Sequence, residues 1–368
     1  MSTSPLAERH LDATTRQVLL EVLRHGPVAR ADLARDLDLS APTVTRAAKS
    51  LLEQGLIIEG EPVAPATTGR PSLPLTVDAA AASFVGGKIT TGALHLVLVD
   101  LTGRVLRSHT MEGVTGSRDD TIRALGAWIT ALAGEGVRPR AVGLSLAATV
   151  DPEGMTTRSA YLDWEAGPLG EVAAQALGIP CVVDNDVNAF TVAEHWFGHG
   201  RGVEEFAVVT VGLGTGLGLV TNDELVRGHS GAAGQIGRLR TLSGDLLTEQ
   251  VESKPLARAA GELLGRTIAH DELPALRHEP ACQGLWATMA TAVGELVATT
   301  SMVVAPQRVL VSGENADLLH DHLDALWQGF DSLAGAGTVR PELAVQALDF
   351  TEWARGAAAV AIRQTLLG

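Results

Sequence analysis

Between Val182 and Arg238 apolar strand patterns alternate with three polar, mostly glycine-bearing turns, an order that few folds accommodate. The first turn, Asp184-Asn185-Asp186-Val187-Asn188-Ala189, ends an apolar run. An amphipathic segment, Phe190 to Gly198, precedes a second apolar run, Phe206 to Val211, which enters Gly212-Leu213-Gly214-Thr215-Gly216-Leu217-Gly218. The third turn is Gly231-Ala232-Ala233-Gly234-Gln235-Ile236-Gly237-Arg238. An Asn-Asp pair delivered by a strand end, a glycine loop able to wrap an anion and a further polar turn describe an α/β body with a polar small-molecule cleft.

The flanking segments extend this pattern. Phe84 to Leu106 reads as a strand meander with turns at Thr91-Gly92 and Asp100 to Gly103. A helix (Asp120 to Ala133), a strand (Ala141 to Leu146), a helix (Leu169 to Leu177) and a strand (Pro180 to Val183) lead into the first turn. Beyond the third come helices near Leu256 to Leu264 and Ala287 to Val304, a strand, Arg308 to Gly313, and a last helix, Thr351 to Leu367. Two similar α/β halves would put a ligand in the crevice between lobes. Trp164 falls near that crevice in the sequence order, with stacking on a sugar and burial in a core both open to it.

Composition narrows the class. At 368 residues, 46% hydrophobic and 19% charged, the chain can build more than one core and is not a disordered protein. A net charge of −15 excludes a chain that coats nucleic acid along its whole length. Residues 1–75, however, hold 8 Lys+Arg against 9 Asp+Glu, which leaves local nucleic-acid binding open. Two cysteines, Cys181 and Cys282, suit a reducing compartment. The first residues lack the apolar core of a signal peptide, and no uninterrupted apolar run approaches the ~18 residues of a membrane span. A cytoplasmic protein without membrane contact is expected.

The first 78 residues read as a separate unit. Val18, Leu19, Val22 and Leu23 recur at helical spacing within Thr15 to His25, which Gly26-Pro27 ends. A short second helix, Arg30 to Leu37, starts at Ala29, a poor cap. A third is capped by Ser40, carries Pro42 in its first turn and runs to Gln54. It buries Val44, Ala47, Ala48, Leu51 and Leu52 and leaves Thr43, Thr45, Arg46 and Lys49 outward. Leu56 to Glu59 and Leu73 to Val77 then read as two strands of a wing whose loop carries Arg70. In such a winged helix-turn-helix, Thr43, Thr45 and Arg46 sit at base edges of a major groove, Lys49 or Arg70 faces phosphate, and Ser40 is a further DNA-binding candidate. A helical docking or dimerisation domain is the plainer alternative.

In this order the segments resemble the ROK family (repressor, ORF, kinase), in its regulator branch. The head carries the resemblance through Ala29 to Ala34, Leu39 to Arg46, Leu52 to Leu56 and Thr68 to Pro71, the body through the three turns and Gly356-Ala357-Ala358. The resemblance implies an N-terminal, all-α winged helix-turn-helix domain (1–78) ahead of an α/β two-lobed, actin-like sugar-kinase body. Lobe 1 would take 79–185 with the C-terminal helix 351–368, and lobe 2 would take 186–350. Operator DNA, a sugar or sugar-phosphate effector, and a homodimer or tetramer are the implied partners.

Departures from the family pattern shape the functional expectation. Family kinases place Asp-x-Gly-Gly-Thr-Lys between the first two body strands, whereas counting back from Asp100 puts Lys88 at the acidic position and leaves Gly86-Gly87 out of register. The turn after the late strand, usually paired glycines, reads Ser312-Gly313-Glu314, a carboxylate facing phosphates. ATP and phosphoryl transfer are therefore not expected, although Gly214, Thr215 and Gly216 remain a candidate anion loop. The family's sugar-binding Asn and its catalytic Asp map to Asn185 and Asp186, with Asp186 here expected as a ligand contact, not a base. Gln235 and Arg238 stand where the family has a sugar-binding Glu and a His shared by sugar and structural zinc. The completing cysteines are absent from 242–249, so no metal is expected. Glu249 matches the family's last sugar-contacting Glu. An arginine in a sugar cleft suggests a phosphorylated or acidic sugar.

Asp184 reads as a turn residue, Asn188 as the cap of the following helix, and His195 and His199 as surface residues. The leading expectation is a sugar-responsive transcriptional regulator, a repressor, with a degenerate kinase-like effector domain. An active ATP-dependent sugar kinase with a regulatory DNA-binding head is the alternative.

Overall fold

Three short helices pack first. In the computed structural model, which describes residues 11–62, 72–157, 159 and 161–367, α1 (Ala13–His25) is capped by Asp12, whose carboxylate accepts from the Thr15 backbone N–H at 2.9 Å. α2 (Arg30–Asp36) starts at Ala29 with no side-chain cap. α3 (Ala41–Glu53) starts at Ser40, whose hydroxyl accepts from the Thr43 N–H at 3.3 Å. β1 (Ile57–Glu59) and β2 (Leu75–Val77) pair antiparallel, as the wing requires. The wing loop with Arg70 lies outside the described residues. Ser40→Ala should cost about 1 kcal/mol of stability, read as a lower unfolding midpoint, because it orphans a first-turn N–H.

The body opens with β3 (Ser83–Ile89), β4 (Ala93–Asp100) and β5 (Val105–Glu112), followed by α4 (Arg118–Gly134), β6 (Val142–Leu146), α5 (Leu169–Leu177), β7 (Cys181–Asn185) and α6 (Asp186–Phe197). The sheet order is β5-β4-β3-β6-β7, with β3 antiparallel to β4 and parallel to β6. The next segment repeats the plan. β8 (Phe206–Val211), β9 (Thr215–Thr221), β10 (Glu224–Leu225), α7 (Leu247–Val251), α8 (Ser253–Leu264), α9 (Gln283–Val304), β11 (Arg308–Gly313), α10 (Leu323–Leu333) and β12 (Glu342–Ala347) give the order β10-β9-β8-β11-β12, again antiparallel on one side of the first strand and parallel on the other. α11 (Phe350–Leu367) ends the chain.

Contacts divide the chain into a first unit, Met1–Gly202 with Trp353–Gly368, and a second, Val203–Glu352. The division falls after Gly202, not at the expected 185/186, because α6 packs within the first unit. Its Phe190 ring lies 5.3 Å from that of Trp353, and α11 approaches so closely at Gly356 that a β-carbon there would come 2.8 Å from the Phe190 nitrogen. The head is not separate either: Val18, Leu19 and Leu51 share one apolar cluster with Phe84, Val97, Trp196, Ala358 and Ile362.

Gly86 and Gly143 explain how α11 lies so flat on the first sheet. A β-carbon at Gly143 would collide with the Ala357 carbonyl, and one at Gly86 with the Ala354 carbonyl. In the second unit α9 is the central helix, with Trp286, Met289, Val293 and Val297 fully buried. Among the described residues it lies in the one stretch, Pro280–Val304, long and apolar enough to cross a membrane, and most of that window is buried inside the protein. β12 and α10 are not among the elements expected from the sequence, although Leu323, Leu326, Trp327 and Phe330 of α10 recur at helical spacing. β12 is an edge strand beside β11, with Leu343 and Val345 packed on the core of the second unit.

Candidate functional site

β7 runs directly into α6, and Asn185 makes the turn. Its Oδ1 accepts from the backbone N–H groups of Val187 and Asn188 at 3.0 and 3.2 Å, while its Nδ2 donates to the Ala148 carbonyl at 3.2 Å. Asn185, and not Asn188, is therefore the helix cap, and Asn188 lies buried inside α6. Asp184 is buried and accepts from the Asn185 N–H at 2.8 Å, as a turn residue does. Asp186 opens the helix, where the macrodipole favours a carboxylate.

Asp186 is held from two sides. Its Oδ1 accepts from the Val187 N–H at 2.9 Å, and its Oδ2 accepts from the Lys88 ammonium. Lys88 is 8% exposed at its side chain, stands opposite Ser145 in the β3–β6 register, and has Nζ 5.1 Å from the Trp353 ring centroid. Lys88 and Asp186, each singled out by the family resemblance, are thus partners in one buried ion pair. The sequence marks Lys88 and Asp186 separately, 98 residues apart, but neither their pairing nor the Trp353 ring beside the ammonium.

Trp164 is packed in the core of the first unit with Leu146, Leu169 and Val183. Its indole N–H donates to the Thr115 carbonyl at 3.3 Å, and the Arg118 guanidinium lies 6.0 Å over its ring. His195 and His199 do not take the surface positions expected of them. His195 is buried, and half-buried His199 places Nδ1 2.9 Å from the Glu194 carboxylate. Burial alone would push Glu194 up, but the bonds from His199 and the Arg355 charge outweigh it and hold the carboxyl below its usual range.

In the second unit the glycine loop is shorter than its motif. Val211 pairs with Thr215, so only residues 212–214 turn, and Thr215 and Gly216 are already strand. The Gly216 amide is engaged, donating to Thr210 Oγ1 at 3.0 Å. Burial pushes the Glu252 carboxyl above its usual range. The Glu314 carboxylate presses against Gly212, occupying the space a β-carbon would need.

The third motif docks on β9 through Gly234, whose φ of +82° suits glycine and whose carbonyl accepts from the Leu217 N–H at 3.1 Å. Gln235 and Arg238 are exposed. Glu249 is exposed and pairs with Arg258 at 3.0 Å. The loop between them is tied by its own oxygens and amides: Gln250 Nε2 lies 3.0 Å from Ser243 Oγ and 3.1 Å from Asp245 Oδ2, and Glu295 accepts from the Leu242 N–H at 2.8 Å.

On the head, Thr45, Arg46 and Lys49 are exposed along one face of α3, with Thr43 half-buried beside them. Ser40 and Thr43 share a hydroxyl hydrogen bond of 2.7 Å, Thr45 bonds back to the Ala41 carbonyl, and Lys49 lies 3.8 Å from Glu53, a loose surface pair.

Known proteins share both parts. Residues 11–66 match the MarR family, and residues 86–252 match the ROK family. A putative xylose repressor from Caldicellulosiruptor sp. (strain Rt8B.4) is 27% identical over 228 residues, 60% of this chain but only 57% of that protein's length. The DNA-binding transcriptional repressor Mlc of Escherichia coli (strain K12) is 25% identical over 325 residues, 80% of each chain. A solved ROK family transcriptional regulator, described as a homolog of E. coli Mlc, superposes with a TM-score of 0.77 at 19% identity, over 96% of this chain and 97% of that one, which shows the shared fold. Sugar kinases, glucokinases among them, also match. The chain thus carries a MarR-type winged helix-turn-helix at residues 11–66 ahead of a ROK family domain at residues 86–252, and it shares the fold of a solved ROK regulator.

Proposed function

We propose that the chain is a cytoplasmic, sugar-responsive transcriptional regulator of carbohydrate-metabolism genes, a repressor, whose kinase-like body senses a sugar without phosphorylating it. The observation that carries this reading is the exposed α3 face, Thr45, Arg46 and Lys49 behind the Ser40 cap, beside an antiparallel wing pair. Arg46 and Thr43 can reach base edges, and Lys49 a phosphate. A homodimer would set two such helices on two half-sites.

The body favours sensing over catalysis. The Asp186 oxygen that would take a substrate proton already accepts from Lys88, and the hairpin that would hold phosphates has its Gly216 amide on Thr210, with Glu314 against Gly212. Phosphoryl transfer depends on positioning and on neutralising phosphate charge, and carboxylates at the phosphate seat do the reverse. The residues around 239–250 offer hydroxyl, amide and carboxylate oxygens where zinc prefers thiolate and imidazole, so zinc does not fit this loop either. Asn185 and Asp186 are the proposed effector contacts of the first unit, and Gln235, Glu249 and Arg238 those of the second. Exposed Arg238 favours an anionic sugar.

DNA selected from a random pool by the intact chain tests the first half: Arg46→Ala should weaken binding by about 1–3 kcal/mol. A thermal-shift screen of sugars, sugar phosphates and ATP tests the second, with a shift expected from a sugar or its phosphate and none from ATP. A body that no sugar stabilises would leave only a DNA-binding scaffold. Retention of Asp186 and of the glycine hairpin is what favours the kinase alternative. Phosphate transfer from labelled ATP to a sugar, abolished by Asp186→Asn, would establish it.

A further inference from the structure

One helix joins the two ends of the first unit that a ligand-responsive regulator must connect. α6 starts at the Asn185 cap and Asp186 and ends at Trp196 and Phe197, ~18 Å away for 12 residues at the rise of an α-helix. Asp186 and every residue from Asn188 to Trp196 are buried. A helix gripped along its length in a close-packed interior shifts as a rod.

Its far end is built into the head. Trp196, 1% exposed, belongs to the same apolar cluster as Val18, Leu19, Val22 and Leu23 of α1, and the Arg24 guanidinium lies 5.2 Å over its ring. Four residues beyond α6, Arg201 reaches back to the C-terminus of α1: its Nε donates to the Arg24 carbonyl and its Nη2 donates to the Gly26 carbonyl at 2.7 Å. Terminal helix carbonyls lack intrahelical partners and carry partial negative charge, so a guanidinium there is both a cap and a charge match. The intervening turn is fixed as well, since buried Glu194 accepts from the His199 N–H at 3.0 Å and lies 3.6 Å from Arg355.

We propose that α6 carries effector occupancy from Asn185 and Asp186 to the DNA-binding head, with Trp196 and Arg201 as the positioning residues that pass its displacement to α1. This rests on the reading of Asn185 and Asp186 as ligand contacts. A hydroxyl bound to Asp186 must share or displace the Lys88 contact, and a group bound to Asn185 competes with the first-turn amides it caps. Either event re-seats the first turn of α6. α1 packs on α3 through the common core, so the displacement reaches the DNA-reading face. Such coupling requires only two packings of different ligand affinity.

Hydrogen exchange on the intact chain tests this without a known effector. Asp186→Asn perturbs the ligand end while keeping its shape, and Asn185→Ser, which keeps a cap, is the second perturbation should the first fold poorly. Either should change exchange of the α1 amides by about threefold or more in the parent background, and leave it nearly unchanged in an Arg201→Ala background, as an energetic coupling requires. Arg201→Lys, which keeps the cation, should restore part of the effect. An equal change with and without Arg201 would overturn the proposal. The same proteins are then titrated with DNA selected by the parent chain, where Asp186→Asn should alter affinity about tenfold only when Arg201 is present. A parent that selects no DNA overturns the regulator reading and leaves exchange to decide on α6. Coupled exchange with no effect on DNA affinity overturns the role of α6 in regulation.

Discussion

Lys88→Met should lower the stability of the first unit by about 3–5 kcal/mol, the range expected when one partner of a buried ion pair is removed and the other stays. The Asp186 carboxylate would keep its Val187 amide but lose the ammonium, in a site only 12% exposed at its side chain. Two companions separate electrostatics from lost volume. Asp186→Asn leaves Lys88 an amide oxygen to donate to and should cost less. The double variant Lys88→Met, Asp186→Asn buries no unpaired charge and should recover most of the loss. Urea unfolding, followed as the transition of the first unit, reads all three. If Lys88→Met unfolds at the parent midpoint, the pair is not the buried element described here.

Gly143→Val should be at least as damaging, about 3 kcal/mol or more, because the collision is with the backbone of α11 and not with a side chain that could turn aside. α11 would have to lift off β6, which opens the cluster that also holds α1 and Trp196. The expected result is loss of soluble protein or a much earlier melt. Gly92→Ala is the control: a β-carbon there meets nothing within 4 Å, and the change should stay within about 0.5 kcal/mol. Equal effects at the two positions would mean that α11 is not pressed against the sheet at Gly143.

Much of this was legible before any coordinates. The three helices of the head appear within two residues of their expected bounds, because apolar spacing, the Ser40 cap and the Gly26 and Gly55 stops are local signals. The strand Arg308 to Gly313 and the helix Leu169 to Leu177 match residue for residue. What failed locally failed for a tertiary reason. Asn188 has the chemistry of a cap but sits three residues too late, since the helix starts at Asp186. His199 looks like surface until Glu194 is found against it. β12 is short, and its two inward residues, Leu343 and Val345, make too brief an alternation to stand out as a strand.

The division between sequence and structure is clearest at position 88. By itself the sequence determines that Lys88 lies in the first body strand, that Glu314 follows a strand ending in Ser312-Gly313, and that a capped helix carrying Arg46 and Lys49 precedes a wing, since each is a matter of residue identity and short spacing. Only the tertiary structure decides that Lys88 neutralises Asp186, that Glu314 presses against Gly212, and that the helix opened by Asp186 ends under Arg24 of the head. Those are contacts between residues tens to well over a hundred positions apart, and no local propensity encodes them. The Lys88–Asp186 contact follows from the register of β3 against β6 and of β6 against β7, and two glycines let α11 close over β3 and β6.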